Sequence, residues 1–128
     1  MLVTIDDIRR AADVVDGVVV RTPVVGSPAR PGLLVKAESL QPTGAFKVRG
    51  AVNAIASLSD DARAAGVVTH SSGNHGQALA WAARRAGIPC VVVIPDGAAP
   101  VKIEAVRRLG AAVELVPAAQ REERARQI

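Results

Sequence analysis

The chain carries three lysines, Lys36, Lys47 and Lys102, against thirteen arginines. In such a composition an ammonium needed only for solubility would usually be written as arginine. A guanidinium is too basic and too delocalised to act as an amine nucleophile, whereas a lysine can form an imine with a carbonyl. Lys47 lies in the stretch Glu38-Ser39-Leu40-Gln41-Pro42-Thr43-Gly44-Ala45-Phe46-Lys47-Val48-Arg49-Gly50-Ala51. That stretch leaves an apolar strand, passes a Pro/Gly turn and delivers the lysine to the first turn of a helix. Lys47 is the candidate for covalent chemistry.

A second group of functional side chains is Ser71-Ser72-Gly73-Asn74-His75-Gly76. It sits between a short apolar run and a helical pattern. The C-terminal ends of parallel strands are where α/β proteins bind ligands. A helix N-terminus offers an anion unpaired N–H groups and the positive end of a dipole. Gly73 and Gly76 let the backbone approach a ligand, and Ser71, Ser72 and Asn74 add hydroxyl and amide groups. The competing reading is that Ser72 or Asn74 merely caps the helix; the sequence leaves both open. The Gly-x-Gly-x-x-Gly spacing of a dinucleotide site is absent. His70, at a strand end, reads as a packing residue, and His75 as a backbone-positioning residue rather than a base. Cys90 and Trp81 read as core. Glu38, Glu104 and Glu114 have no metal-ligand spacing with either histidine, so no metal site is expected.

The elements that must hold these groups follow from periodicity and punctuation. Thr4 to Asp7 has capping-box spacing before a helix of about ten residues that ends by Gly17. Val18 to Val25 is β-rich but cut by Pro23, and with Leu33 to Glu38 it forms an expected hairpin at a sheet edge. Helices are expected over Val48 to Leu58, from the Ser59 cap to Gly66, from about Asn74 to Ala86, from Pro100 to Gly110, and from Ala119 onward. Val67 to His70 reads as a short buried strand, followed by strands over Ile88 to Ile94 and Ala112 to Val116. From Val67 the order is strand, helix, strand, helix, strand, helix, which argues a parallel sheet with right-handed crossovers. The expected architecture is three-layer α/β, with a parallel sheet between flanking helices.

Composition narrows the function classes. The chain is 49% hydrophobic and carries a net charge of +4, so a packed core is expected rather than disorder. Its basic residues come as helical pairs, Arg9-Arg10, Arg84-Arg85 and Arg107-Arg108, which usually form solvated faces. Phe46 and Trp81 are the only aromatics, too few for nucleic-acid stacking. No nucleic-acid partner is expected. No apolar run approaches the roughly 20 residues that cross a bilayer. The start of the chain lacks a signal-peptide pattern, and one cysteine fits a reducing compartment. These features give a cytoplasmic protein with no membrane partner.

Read together, the two motifs resemble the serine/threonine dehydratases (threonine ammonia-lyases) and the serine racemases. These are pyridoxal-phosphate enzymes of fold type II, the tryptophan synthase β group. Gln41 to Phe46, Lys47, Arg49-Gly50-Ala51 and Ser71 to Gln77 carry the resemblance. Val93-Ile94-Pro95, Ala99 to Lys102, Arg107 and Gly110-Ala111 extend it. It runs from about Thr4 to Ile128 and covers about the first two-fifths of a typical member. The resemblance implies that Lys47 bonds the aldehyde of pyridoxal 5'-phosphate and later moves the substrate α-proton. It implies that Phe46 packs by the cofactor ring and that Asn74 hydrogen-bonds its 3′-oxygen. Ser71, Ser72, Gly73, Asn74 and His75 would hold the substrate carboxylate. Ser72 matches the position that in racemases serves as a second acid/base. A lysine partly desolvated near a helix N-terminus is expected to have a lowered pKa.

The implied reaction is loss of the β-hydroxyl from L-threonine or L-serine, giving a 2-oxo acid and ammonia. Serine racemase is the alternative within the family; a non-catalytic binding module that retains the motifs, or an unrelated anion-binding α/β domain, is the alternative outside it. Residues 1–50 are expected to belong to a large cofactor domain and 51–128 mostly to a small α/β domain. The last helix has no C-cap, so the chain reads as the N-terminal piece of a larger enzyme, a homo-oligomer when full length. The glycine-rich loop that grips the cofactor phosphate in the family finds no counterpart here. The 128-residue chain is therefore expected to bind the cofactor weakly and to turn over slowly or not at all.

Overall fold

Thr4 opens the first helix, α1 (Ile5–Val15), with the expected capping box: its hydroxyl accepts from the Asp7 N–H, and the Asp7 carboxylate accepts from the Thr4 N–H. The computed structural model describes residues 2–128. α1 packs against α2 (Lys47–Ala56) yet buries none of its own residues, and Ile5 and Ile8 remain exposed. Between them a short antiparallel hairpin, β1 (Val24–Gly26) and β2 (Leu34–Lys36), forms a sheet of its own. It is shorter than its Val-rich sequence predicts. Pro23 has no N–H to donate, so pairing begins only at Val24. A 3-10 turn over Glu38–Leu40 then leads into the Lys47 loop.

The remainder is the predicted alternation. α3 (Asp60–Ala65) begins at the Ser59 cap and stops at Gly66. β3 (Val67–Thr69), α4 (Asn74–Ala86), β4 (Cys90–Pro95), α5 (Pro100–Arg108), β5 (Ala112–Val116) and α6 (Arg121–Gln127) follow. The three strands pair in parallel in the order β3-β4-β5, with Val92 opposite Thr69 on one side and Val113 on the other. Gly66 has φ +94°, and a Cβ there would lie 2.7 Å from the Pro89 carbonyl oxygen. The missing side chain lets the Val67 N–H reach that oxygen at 2.9 Å and start the β3–β4 pairing. β3 is half-buried rather than buried, because an edge strand has a neighbour on one side only.

The core lies between the sheet and the α2–α4 pair. Val92 and Ile94 of β4 meet Ala78, Leu79, Ala82 and Ala83 of α4, Val48, Ala51 and Ile55 of α2, and Ile103 and Val106 of α5. The alanines of α4 let α2 pack closely along its length. Burying each Val or Ile here is worth about 1.5–3 kcal/mol. Val93 points to the opposite face and is also fully buried. Glu114, its register partner on β5, is held by Arg124 of α6, so α6 covers that second face. Helix, sheet and helix make the three layers.

Two side-chain expectations change. His70, read as packing, is exposed: β3 ends at Thr69 and His70 lies beyond the ladder. Trp81 is only partly buried at the core margin, with the Arg85 guanidinium 5.9 Å from its ring centroid. Cys90 is buried as expected, and that burial pushes its thiol up to about 11.

Candidate active site

α2 and α4 bring one residue of the second motif, His75, to a pocket beside Lys47. A cavity of about 480 Å³ is lined by Phe46, Lys47, Arg49 and His75, with Ala51 and Leu79 of the α2–α4 seam among the apolar residues beside them; Ser71, Ser72, Gly73 and Asn74 are not in its lining. Its two sides come from different motifs: Lys47 from the start of α2, His75 from the start of α4.

Lys47 is the first residue of α2 and is exposed. The partial desolvation expected of it is absent, since no element of the chain covers this side of the loop. Its Nζ makes no ion pair or hydrogen bond among the described residues and instead rests 4.0 Å from the centroid of the Phe46 ring. Such an exposed cation–π contact is worth about 0.5–1 kcal/mol and leaves the amine accessible. Phe46 is itself 57% exposed and presents an open aromatic face beside the amine.

The N-terminus of α4 decides between cap and ligand site. Its N-cap is Gly73, with no side-chain cap hydrogen bond. Neither Ser72 nor Asn74 caps the helix. Ser71 Oγ accepts only from the Gly73 N–H, at 3.3 Å. The first bond back onto the turn is Gln77 N–H to the Gly73 carbonyl, at 3.2 Å. The N–H groups of Asn74, His75 and Gly76 therefore have no partner among the described residues. Asn74 and His75 are exposed, and Ser71, Ser72 and Gly73 half-exposed. These donors, the Ser72 hydroxyl and the Asn74 amide can accept an anion.

Beside the Lys47 loop, bordering the same pocket through Arg49, lies a polar cluster that sequence reasoning did not single out. Arg49 donates from Nε to Glu38 Oε2 at 2.9 Å and from a terminal nitrogen to Glu38 Oε1 at 2.8 Å. That terminal nitrogen also reaches the Val20 carbonyl at 3.0 Å. Glu38 accepts further from the hydroxyl of Thr22 and from Gln41 Nε2. Gln41, 4% exposed, brackets Val20 by accepting from its N–H at 3.1 Å and donating to its carbonyl at 2.9 Å. Lys36 Nζ donates to the carbonyl and hydroxyl of Thr22. Arg49 reaches partners 11 and 29 residues away, so no local periodicity marks the cluster. The available signal was a Gln and an Arg placed around the lysine in a Lys-poor, Ala-rich stretch.

The Arg49 guanidinium, with help from Thr22 and Gln41, holds the Glu38 carboxyl down at about 2, against an ordinary value of 4.5. A carboxylate whose folded pKa is depressed stabilises the fold above its unfolded pKa and loses that contribution as pH falls toward the folded value. Thermal melts should therefore show wild type losing stability relative to Glu38→Gln between pH 4.5 and about 2. The difference between the two proteins isolates Glu38, because Asp7 is also lowered, by its hydrogen bonds to Thr4, and is common to both. A constant difference across that range would refute this account.

Residues 15–128 match the family described as pyridoxal-phosphate dependent enzyme. The chain belongs to that family. It is 45% identical to serine racemase of Dictyostelium discoideum over 87% of this chain and 36% of that protein. It is 43% identical to L-threonine ammonia-lyase of Thermotoga maritima over 89% of this chain and 30% of that protein. The structure of maize serine racemase superposes with a TM-score of 0.93 at 40% identity, covering 99% of this chain and 41% of that one. The chain thus spans about a third of the length of these curated relatives, and its parallel-sheet architecture is that of the family's tryptophan synthase β-like fold.

The residues present fit one side of a pyridoxal-phosphate site. The family's cofactor needs a free amine, and Lys47 Nζ is accessible and unpaired among the described residues. Thr43 Oγ1, in the loop leading to Lys47, is buried with no hydrogen-bond partner among them, an acceptor and donor still open for a ligand or water. The uncapped α4 turn leaves its first N–H groups open to an anion. Among the described residues there is no cluster of metal-ligating side chains and no helix long and apolar enough to cross a membrane.

Proposed function

We propose that this chain carries the lysine and substrate-carboxylate portion of an ammonia-lyase acting on L-threonine and L-serine. The observation that carries the reading is that His75, on the uncapped first turn of α4, lines one pocket with an unpaired lysine. Bound pyridoxal phosphate supplies an electron sink for the α-carbon. Lys47 holds the cofactor through Nζ and takes the substrate α-proton as a free amine. Phe46 would pack beside the cofactor ring, and the Asn74 amide would help to hold the cofactor by hydrogen bonding. The N–H groups of Asn74, His75 and Gly76, with Ser71, Ser72 and Gly73, orient the substrate carboxylate so that the α-hydrogen faces Lys47. Loss of that proton and of the β-hydroxyl, followed by hydrolysis, converts threonine to 2-oxobutanoate and ammonia.

A second reading, serine racemisation, is favoured by Ser72, whose hydroxyl has no partner among the described residues and is not used as a cap. A hydroxyl that delivers a proton to the face opposite Lys47 inverts the α-carbon. We further propose that residues 1–50 belong to the large cofactor domain and 51–128 mostly to the small domain, in a cytoplasmic homo-oligomer.

Assay with saturating pyridoxal phosphate tests the choice. The chain is expected to release 2-oxobutanoate slowly from L-threonine and to make little D-serine from L-serine, with Ser72→Ala lowering D-serine formation far more than 2-oxobutanoate release. D-serine formation exceeding 2-oxo acid release would move the reading to racemase. Neither product, from protein that still bonds the cofactor at Lys47, would make the chain a binding module.

A further inference from the structure

The first turn of α2 is held from two directions. Val48 is fully buried in the core. Arg49 is drawn into the polar cluster with Glu38 and the Val20 carbonyl. On a helix, residues two apart do not face each other, so Arg49, tied by its guanidinium to Glu38 and the Val20 carbonyl, steadies the turn that carries Lys47 although both residues border the same pocket. The anchor is built from three separate segments. The arm before β1 contributes Val20 and Thr22, the 3-10 turn and its C-cap contribute Glu38 and Gln41, and α2 contributes Arg49. Thr22 and Gln41 are each only 4% exposed, and Glu38 collects its donors from Arg49, Thr22 and Gln41 together. A fully connected cluster of this kind has one geometry, and that geometry fixes where α2 begins.

We propose that Glu38 and Arg49 are a positioning pair for Lys47, setting the direction in which its amine meets a cofactor carbonyl. This rests on the assignment of Lys47 as the cofactor-bonding lysine. Arg49 also lines the pocket, but its guanidinium is committed to Glu38 and the Val20 carbonyl, and the pair acts on Lys47 through the backbone of the α2 turn. Glu38→Gln keeps the shape of the side chain and removes the charge. Arg49→Leu removes the fork. Thr22→Val takes one hydroxyl from the cluster and no charge.

The test uses the 128-residue chain with pyridoxal phosphate, reduction by borohydride and mass mapping of the adduct on Lys36, Lys47 and Lys102. Each protein is labelled at the same interval below its own melting temperature, so a lower stability alone does not move the result. Lys102, exposed on α5, is the internal reference. In wild type the adduct is expected to concentrate on Lys47. The Lys47 to Lys102 ratio should fall about tenfold in Glu38→Gln and Arg49→Leu, as expected for a reacting group displaced from its productive geometry. It should fall less in Thr22→Val. Glu104→Gln, which removes an exposed carboxylate paired with Arg108, should leave the ratio unchanged. An unchanged ratio in folded Glu38→Gln and Thr22→Val overturns the positioning role while leaving Lys47 assigned. If Arg49→Leu does not fold, those two variants decide. Even labelling of the three lysines in wild type overturns the assignment of Lys47 itself, and the positioning pair with it.

Discussion

Gly76→Ala is expected to destabilise the chain by about 3 kcal/mol, at the upper end of what overpacking costs, and to disable the anion site. A Cβ at this position would lie 2.0 Å from the Ser71 carbonyl oxygen and 3.2 Å from a methyl of Val92. The first neighbour is backbone and the second belongs to a fully buried β4 side chain, so neither can turn aside. Either the Ser71–Gly73 turn moves away from α4 or the helix lifts from the sheet. Both displace the unpaired N–H groups of Asn74, His75 and Gly76. Gly73→Ala is the control. Its φ of −106° suits any residue, and a Cβ there meets nothing within 4 Å. Chemical denaturation should separate the two variants clearly. Equal stabilities would show that the loop is not packed against α4 as described.

Lys47→Arg has the largest expected effect on chemistry. The cation is kept and can still lie over the Phe46 ring, and arginine is as good a helix former as lysine. Because the side chain is exposed and makes no ion pair among the described residues, the melting temperature should hardly move. The guanidinium cannot bond a carbonyl as an imine. The adduct at position 47 and any turnover that depends on it should both be lost, by at least about a hundredfold. A variant that kept its 2-oxobutanoate release would show that another amine does the work.

The parallel sheet and its helices were legible because their signals are local. The Val run of β4, the glycines at 66, 87 and 110, and Pro100 at the start of α5 each act within one turn or strand. Lys47 stands out in the sequence by its chemistry and setting. What could not be read was anything set by contacts far apart in sequence. Whether Ser72 capped α4 depended on the path of the whole loop. Glu38, Arg49, Thr22 and Gln41 come together only when the arm before β1 returns past α2. The exposure of Lys47 and His70 likewise depends on what lies across from them, which a helical or strand pattern does not encode.

Everything proposed for this site depends on the identity of one lysine. Wild-type chain incubated with pyridoxal phosphate, reduced with borohydride and digested should carry its pyridoxyl mass mainly on the peptide containing Lys47, with minor labelling of Lys36 and Lys102. Labelling spread evenly over the three lysines, or concentrated on Lys36 or Lys102, would contradict it.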